Sequence, residues 1–178
     1  MNAVDNVTKF VLAHSFVDKR TKEECKKFLK QIKDSCYQQI LERYLSEKHK
    51  KKEERLLFEF VCDGFENYKS AFDNLFYRVA NLSFGVPIAC KKYGLLHNNN
   101  PAERYNGKLD DRLKIIRGGF GNFEGAKSFM GMQRILHNFV NPHQELGGKT
   151  PAEMAEITIP LKRNRLLNLI RFLAKSER

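Results

Sequence analysis

Four cysteines, Cys25, Cys36, Cys62 and Cys90, form no C-x-x-C pair, and no histidine stands at zinc-finger spacing from them. That excludes the common small zinc modules. No apolar run is long enough to span a bilayer, so no membrane partner is expected. The first residues, Met1-Asn2-Ala3-Val4-Asp5, lack the plan of a secretory leader. There is no internal repeat, no low-complexity tract and no helix-turn-helix signature. Acidic residues are scarce: 21 Asp and Glu stand against 32 Lys and Arg. These absences describe a soluble, cytoplasmic protein whose cysteines are buried thiols in a reducing compartment.

The excess of base is the first positive signal. A formal charge of +11 and a pI near 9.6 favour a polyanionic partner, most simply nucleic acid. A basic surface that only aids solubility is the plainer alternative. The spread of Lys and Arg along the whole chain weighs against it. With 178 residues, there is room for one ordinary domain with a real core.

Hydrophobic periodicity orders the elements. Val7 to Val17 reads as a strand, with Val4-Asp5 as the tail of an earlier one and Asp5-Asn6 as the turn. Thr21 and Glu24 make a capping-box pattern. A long amphipathic helix follows, with Cys25, Phe28, Leu29, Ile32, Cys36, Ile40 and Tyr44 on one face. It runs into a charged stretch, Glu47 to Arg55, read as a solvated helix end or loop. Leu56 to Cys62 is a core strand. Glu66 to Tyr77 is a helix with Tyr68, Ala71, Phe72 and Leu75 inward, and Leu82 to Ile88 is a short strand. Pro101 opens a helix that Gly118-Gly119 closes. Glu124 to His137 is helical, Asn138 to Gly148 is a loop, Thr150 caps a short helix and Leu161 to Ala174 is a basic terminal helix. Strands alternating with helices imply an α/β core with some parallel pairing.

Two carboxylates are the candidate chemistry. Asp63 closes the apolar run Leu56-Leu57-Phe58-Glu59-Phe60-Val61-Cys62 at the carboxyl end of a strand, where ligands gather in open α/β sheets. Asp63-Gly64 taken alone also reads as a turn. Glu103 stands in the first turn of the Pro101 helix, and with Asn100 as N-cap it reads equally as a capping carboxylate. At about 100° per residue, Tyr105, Leu109, Leu113 and Ile116 share one side of this helix. Gly107, Asp110, Lys114 and Arg117 share the azimuth of Glu103. The carboxylate therefore faces a polar surface or cleft.

The stretch Asn98-Asn99-Asn100-Pro101-Ala102-Glu103-Arg104-Tyr105-Asn106-Gly107, continuing through Leu109, Arg112, Lys114, Arg117-Gly118 and Phe120, resembles the Glu-bearing helix of prokaryotic insertion-sequence DDE transposases. So do His137-Asn138-Phe139-Val140-Asn141-Pro142-His143 and the following Leu146-Gly147-Gly148-Lys149-Thr150-Pro151-Ala152-Glu153. Val61-Cys62-Asp63-Gly64-Phe65-Glu66-Asn67-Tyr68 resembles the strand bearing that family's second Asp. The 39 residues between Asp63 and Glu103 are close to the family's separation. Asp5, Thr8 and Lys9 resemble the turn between its second and third strands. The likeness covers nearly the whole chain.

The resemblance implies a ribonuclease H-like mixed sheet flanked by helices, incomplete at the N-terminal strands. It places a partial catalytic core at 1–120 and a C-terminal helical extension at 121–178. It makes Asp63 and Glu103 catalytic ligands of Mg²⁺ or Mn²⁺ in a two-metal phosphoryl transfer on DNA. The family's first Asp, on its first strand, has no counterpart here, since Asp5 and Asp18 do not match its position. A basic residue expected two turns after the Glu is replaced by Asp110. The expectation is a core truncated at its N-terminus and inactive on its own.

Arg104, Lys108, Arg112, Lys114 and Arg117 make the Glu103 helix basic, and Lys162, Arg163, Arg165 and Arg171 do so near the C-terminus. Phosphate contact is the natural role, and ordinary helix surface the alternative. The expected partners are DNA, as transposon ends and target, and a second copy or an intact transposase. Three readings stand: a transposase catalytic fragment, a non-catalytic DNA- or transposase-binding regulator, and a ribonuclease H-like nuclease completing its site with Asp5 or Asp18.

Overall fold

The computed structural model describes residues 1–85, 100–116, 119–161 and 163–176. Among them are six α-helices and four short strands, a mixed α/β protein. The strands are β1 (Asn2–Val4), β2 (Val11–His14), β3 (Glu59–Cys62) and β4 (Asn81–Phe84). The helices are α1 (Lys22–Glu47), α2 (Glu66–Phe76), α3 (Asn100–Lys114), α4 (Phe123–Ile135), α5 (Pro151–Met154) and α6 (Arg165–Ser176). None among the described residues is long and apolar enough to cross a membrane. The chain divides into two compact units: Met1 with Ser15–Glu103, and Asn2–His14 with Arg104–Arg178.

In the first unit, Thr21 caps α1 by accepting the Glu24 amide at 3.3 Å. Cys25, Phe28, Leu29, Ile32 and Ile40 are buried on the face that the periodicity marks. The helix is not straight. Cys36 leaves helical geometry at φ −140°, ψ 15°. Ser35 Oγ donates to the Gln31 carbonyl at 2.8 Å and Cys36 Sγ to the Ile32 carbonyl at 3.1 Å. Such side-chain bonds to the carbonyl four residues back compete with the helical ladder and bend it.

The charged run after α1 holds a surprise. Glu47 is buried, not solvated. It takes the Leu56 amide at 3.0 Å and the Lys50 ammonium at 2.9 Å. The Leu56 amide bond, with Lys50, holds this carboxyl below its usual range. The turn into β3 is thereby pinned.

β3, α2 and β4 form a β-α-β unit, with β3 and β4 parallel and Cys62 opposite Phe84. A helical crossover imposes that direction, as a tight turn imposes the opposite one. Phe60 packs on Phe72 and Phe76 at centroid distances of 5.2 and 4.9 Å. Tyr68, Ala71 and Phe72 point inward as expected. Phe76 fills the place expected of Leu75, because 68, 72 and 76 lie on one four-residue row. Residues 86–88 of the expected fourth strand lie outside the described residues.

In the second unit, β1 and β2 pair antiparallel as a hairpin. The strand expected from Val7 begins only at Val11. Asp5 Oδ2 captures the Thr8 amide and hydroxyl, both at 2.6 Å, and Lys9 turns through φ 61°. Val7 is left on the outside of that turn. One mixed sheet is expected from the sequence; the described strands pair instead as two two-stranded ladders, β1–β2 and β3–β4.

Val11, Tyr105 and Leu109 form a buried cluster with Val4 and Met130 against it. α4 starts at an Asn122 cap and runs into a π-helical turn at Leu136–Val140, which carries helical structure past His137 into residues 138–140 that the sequence reads as loop. Thr150 and Glu153 close a reciprocal capping box on α5. α6 begins at Arg165, four residues later than expected, with buried Leu161 ahead of it.

Candidate functional site

Asp63 sits immediately after β3, in the loop that leads to α2. Its Oδ2 accepts from Arg20 Nη1 at 2.6 Å, with both side chains about half exposed. The guanidinium also lies over the Phe65 ring, 4.6 Å from its centre. Asn67 Nδ2 donates to the Arg20 carbonyl at 3.1 Å, which fixes the backbone of the arginine. Nothing in the sequence pattern marks Arg20, because no local periodicity links it to a residue 43 positions away.

Two thiols and a phenol near Asp63 are held in their neutral forms by burial. Burial pushes the Cys62 thiol up to about 11 and the Tyr68 hydroxyl up to about 12. Cys25 is fully buried, and its thiol is raised for the same reason. None offers a second anion, and thiols are poor partners for a hard cation such as Mg²⁺.

Glu103 stands exposed in the first turn of α3. Tyr105 and Leu109 are buried, while Arg104, Gly107, Lys108, Asp110, Arg112 and Lys114 are exposed, matching the face expected from the sequence. Beyond its chain neighbours and the nearby backbone of its own helix, a Cβ placed on Gly107 would meet no atom within 4 Å. Arg117, Lys162 and the loop residues His97 to Asn99 lie outside the described residues.

These residues do not fit a two-metal site. Asp63 is committed to a guanidinium, and among the described residues no three His, Cys, Asp or Glu side chains are grouped to hold a metal ion. Asp5 is spent on its own turn, which leaves it no free role as a substitute ligand.

The cations divide by their commitments. Lys108 and Arg112 project from α3 into solvent. Arg104 pairs with Glu145 at 2.9 Å and Lys114 with Asp111 at 3.1 Å. All four of those side chains are largely exposed, so such pairs are worth little and are readily exchanged for phosphate. Arg165 differs. It forks onto Glu153 at 2.9 and 3.1 Å and so serves to dock α6. Arg163 and Arg171 stay exposed.

The segment at His137 and Asn138 is structural. Asn138 is 2 % exposed; its Oδ1 accepts the Val11 amide at 2.9 Å and its Nδ2 donates to the Val11 carbonyl at 3.1 Å. The side-chain amide thus acts as a one-residue strand partner for β2. His137 Nε2 reaches the Lys9 carbonyl at 2.9 Å, and a carbonyl only accepts, so Nε2 carries the proton. Burial lowers the pKa of His137 to about 4. Its ring meets Tyr105 and His143 edge to face at 4.8 and 4.5 Å. A hydrogen bond to the Lys9 carbonyl holds His137, and ring packing joins it to His143.

Compared with protein-family models, curated proteins and solved structures, the chain matches none.

Proposed function

We propose that this chain is related to the catalytic domain of DDE transposases, and that its own activity is salt-sensitive DNA binding rather than strand cleavage. The observation that carries this reading is α3. One face, Tyr105 and Leu109, is sunk in the core, while Glu103 and four cations, Arg104, Lys108, Arg112 and Lys114, are exposed on the same helix. Phosphates spaced along a duplex would engage such cations without reading sequence.

Three further features support the family assignment. The resemblance would make the hairpin with the Asp5–Thr8–Lys9 turn the family's second and third strands. A parallel β-α-β unit follows, with Asp63 at the carboxyl end of its first strand. Then comes the Glu103 helix. The Arg20 ion pair on Asp63 speaks for binding over cleavage. A core that binds transposon ends without cutting them would compete with an intact transposase for the same DNA.

Two assays test this. Fluorescence anisotropy with a duplex should show affinity falling steeply between about 50 and 200 mM salt. Asp63→Asn and Glu103→Gln should leave that affinity unchanged. Incubation of supercoiled DNA with Mg²⁺ or Mn²⁺ should give no nicking. Nicking that both substitutions abolish would restore the enzyme reading, and affinity indifferent to salt would sink the DNA reading.

A further inference from the structure

We infer that Arg20 is a resident counter-ion for Asp63, occupying the ground from which a divalent cation would draw on this carboxylate. The inference rests on the reading of Asp63 as the family's second acid, and it deepens that reading by naming what the carboxylate holds instead of metal.

Arg20 is placed by more than its charge. Its Nη1 lies 2.6 Å from Asp63 Oδ2. Its guanidinium stacks on Phe65, two residues beyond Asp63. Its own carbonyl is tied to Asn67 in the first turn of α2. The arginine is therefore anchored at two points in the β3–α2 loop and at a third in α2. A divalent ion approaching Asp63 meets a carboxylate already paired with a guanidinium, whose charge repels it at a separation on the order of 4 to 5 Å. In water-like dielectric, that repulsion lowers affinity about 20-fold, or about tenfold with salt screening.

The test is a titration with Mn²⁺ alone, reading free hexaaqua Mn²⁺ by electron paramagnetic resonance, with far-ultraviolet circular dichroism as the folding control. Arg20→Gln should bind Mn²⁺ about tenfold more tightly than the unaltered protein. The gain should vanish in Arg20→Gln/Asp63→Asn, and Arg20→Lys, which keeps the charge, should behave like the unaltered protein. Three results would overturn the inference: Arg20→Gln folded but no tighter, Arg20→Lys as tight as Arg20→Gln, or submillimolar Mn²⁺ binding by the unaltered protein that Asp63→Asn removes. The last comparison leaves Arg20 intact and does not depend on how its variants fold. DNA affinity measured in chelator reports separately on the proposed function, so the two ideas fail by different readouts.

Discussion

Replacing Asn138 with Ala should unfold the second unit's hairpin from its support. Asn138 is 2 % exposed and Val11 is 1 % exposed, so water does not reach the contact. The substitution removes both partners of Val11 on that edge: the acceptor for its amide and the donor for its carbonyl, at 2.9 and 3.1 Å. A buried polar group left without a partner costs about 1–3 kcal/mol. Two such groups put the loss at about 2–6 kcal/mol, a large share of the 5–15 kcal/mol typical of a whole domain. Asn138→Asp should be comparably harmful, since it keeps the acceptor but sets a carboxylate against the Val11 carbonyl. Urea denaturation measures the loss. Hydrogen exchange at the Val11 amide localises it, because that proton should lose its protection selectively. A loss below about 1 kcal/mol with Val11 still protected would refute the strand-partner role.

Four other outcomes follow from the same geometry. His137 is buried with its pKa lowered to about 4, so it stays neutral in the fold while the unfolded chain protonates near 6.5. Its contribution is full above pH 6.5 and drains away as pH falls toward 4, by at most about 3 kcal/mol; urea midpoints across that range should show the decline, and His137→Gln should make it shallower, with buried His14 supplying part of the rest. Thr150→Ala breaks the capping box on α5 and should cost about 0.5–2 kcal/mol by thermal or chemical melting. Gly107→Ala meets open space on α3 and should stabilise the helix by about 0.5–1 kcal/mol; a simultaneous fall in DNA affinity would show that the backbone there approaches the duplex closely. Lys108→Ala and Arg112→Ala should each lower the slope of log affinity against log salt by about one, measured by anisotropy, whereas Arg165→Ala should leave that slope unchanged and lower stability instead.

Short-range signals carried most of the elements. Thr21 and Thr150 announce helix starts because a cap is made with a residue three positions away. The stripe through Phe28, Ile32 and Ile40, and the burial of Tyr105 and Leu109, follow from a period of about 3.6 residues. Asp5 reads as a turn residue because its partner, Thr8, is local. By itself, then, the sequence determined the helices, the order of strands, the excess of positive charge and the face on which Glu103 stands. The tertiary structure decided what long-range partners those side chains find. It buried Glu47 under Leu56, set Phe76 rather than Leu75 into the aromatic cluster, gave Asn138 to Val11 across 127 residues and gave Asp63 to Arg20 across 43. Periodicity and capping repeat within a turn or two of chain, whereas a hydrogen bond or ion pair between distant segments depends on how those segments are brought together, and a single sequence carries no local mark of that.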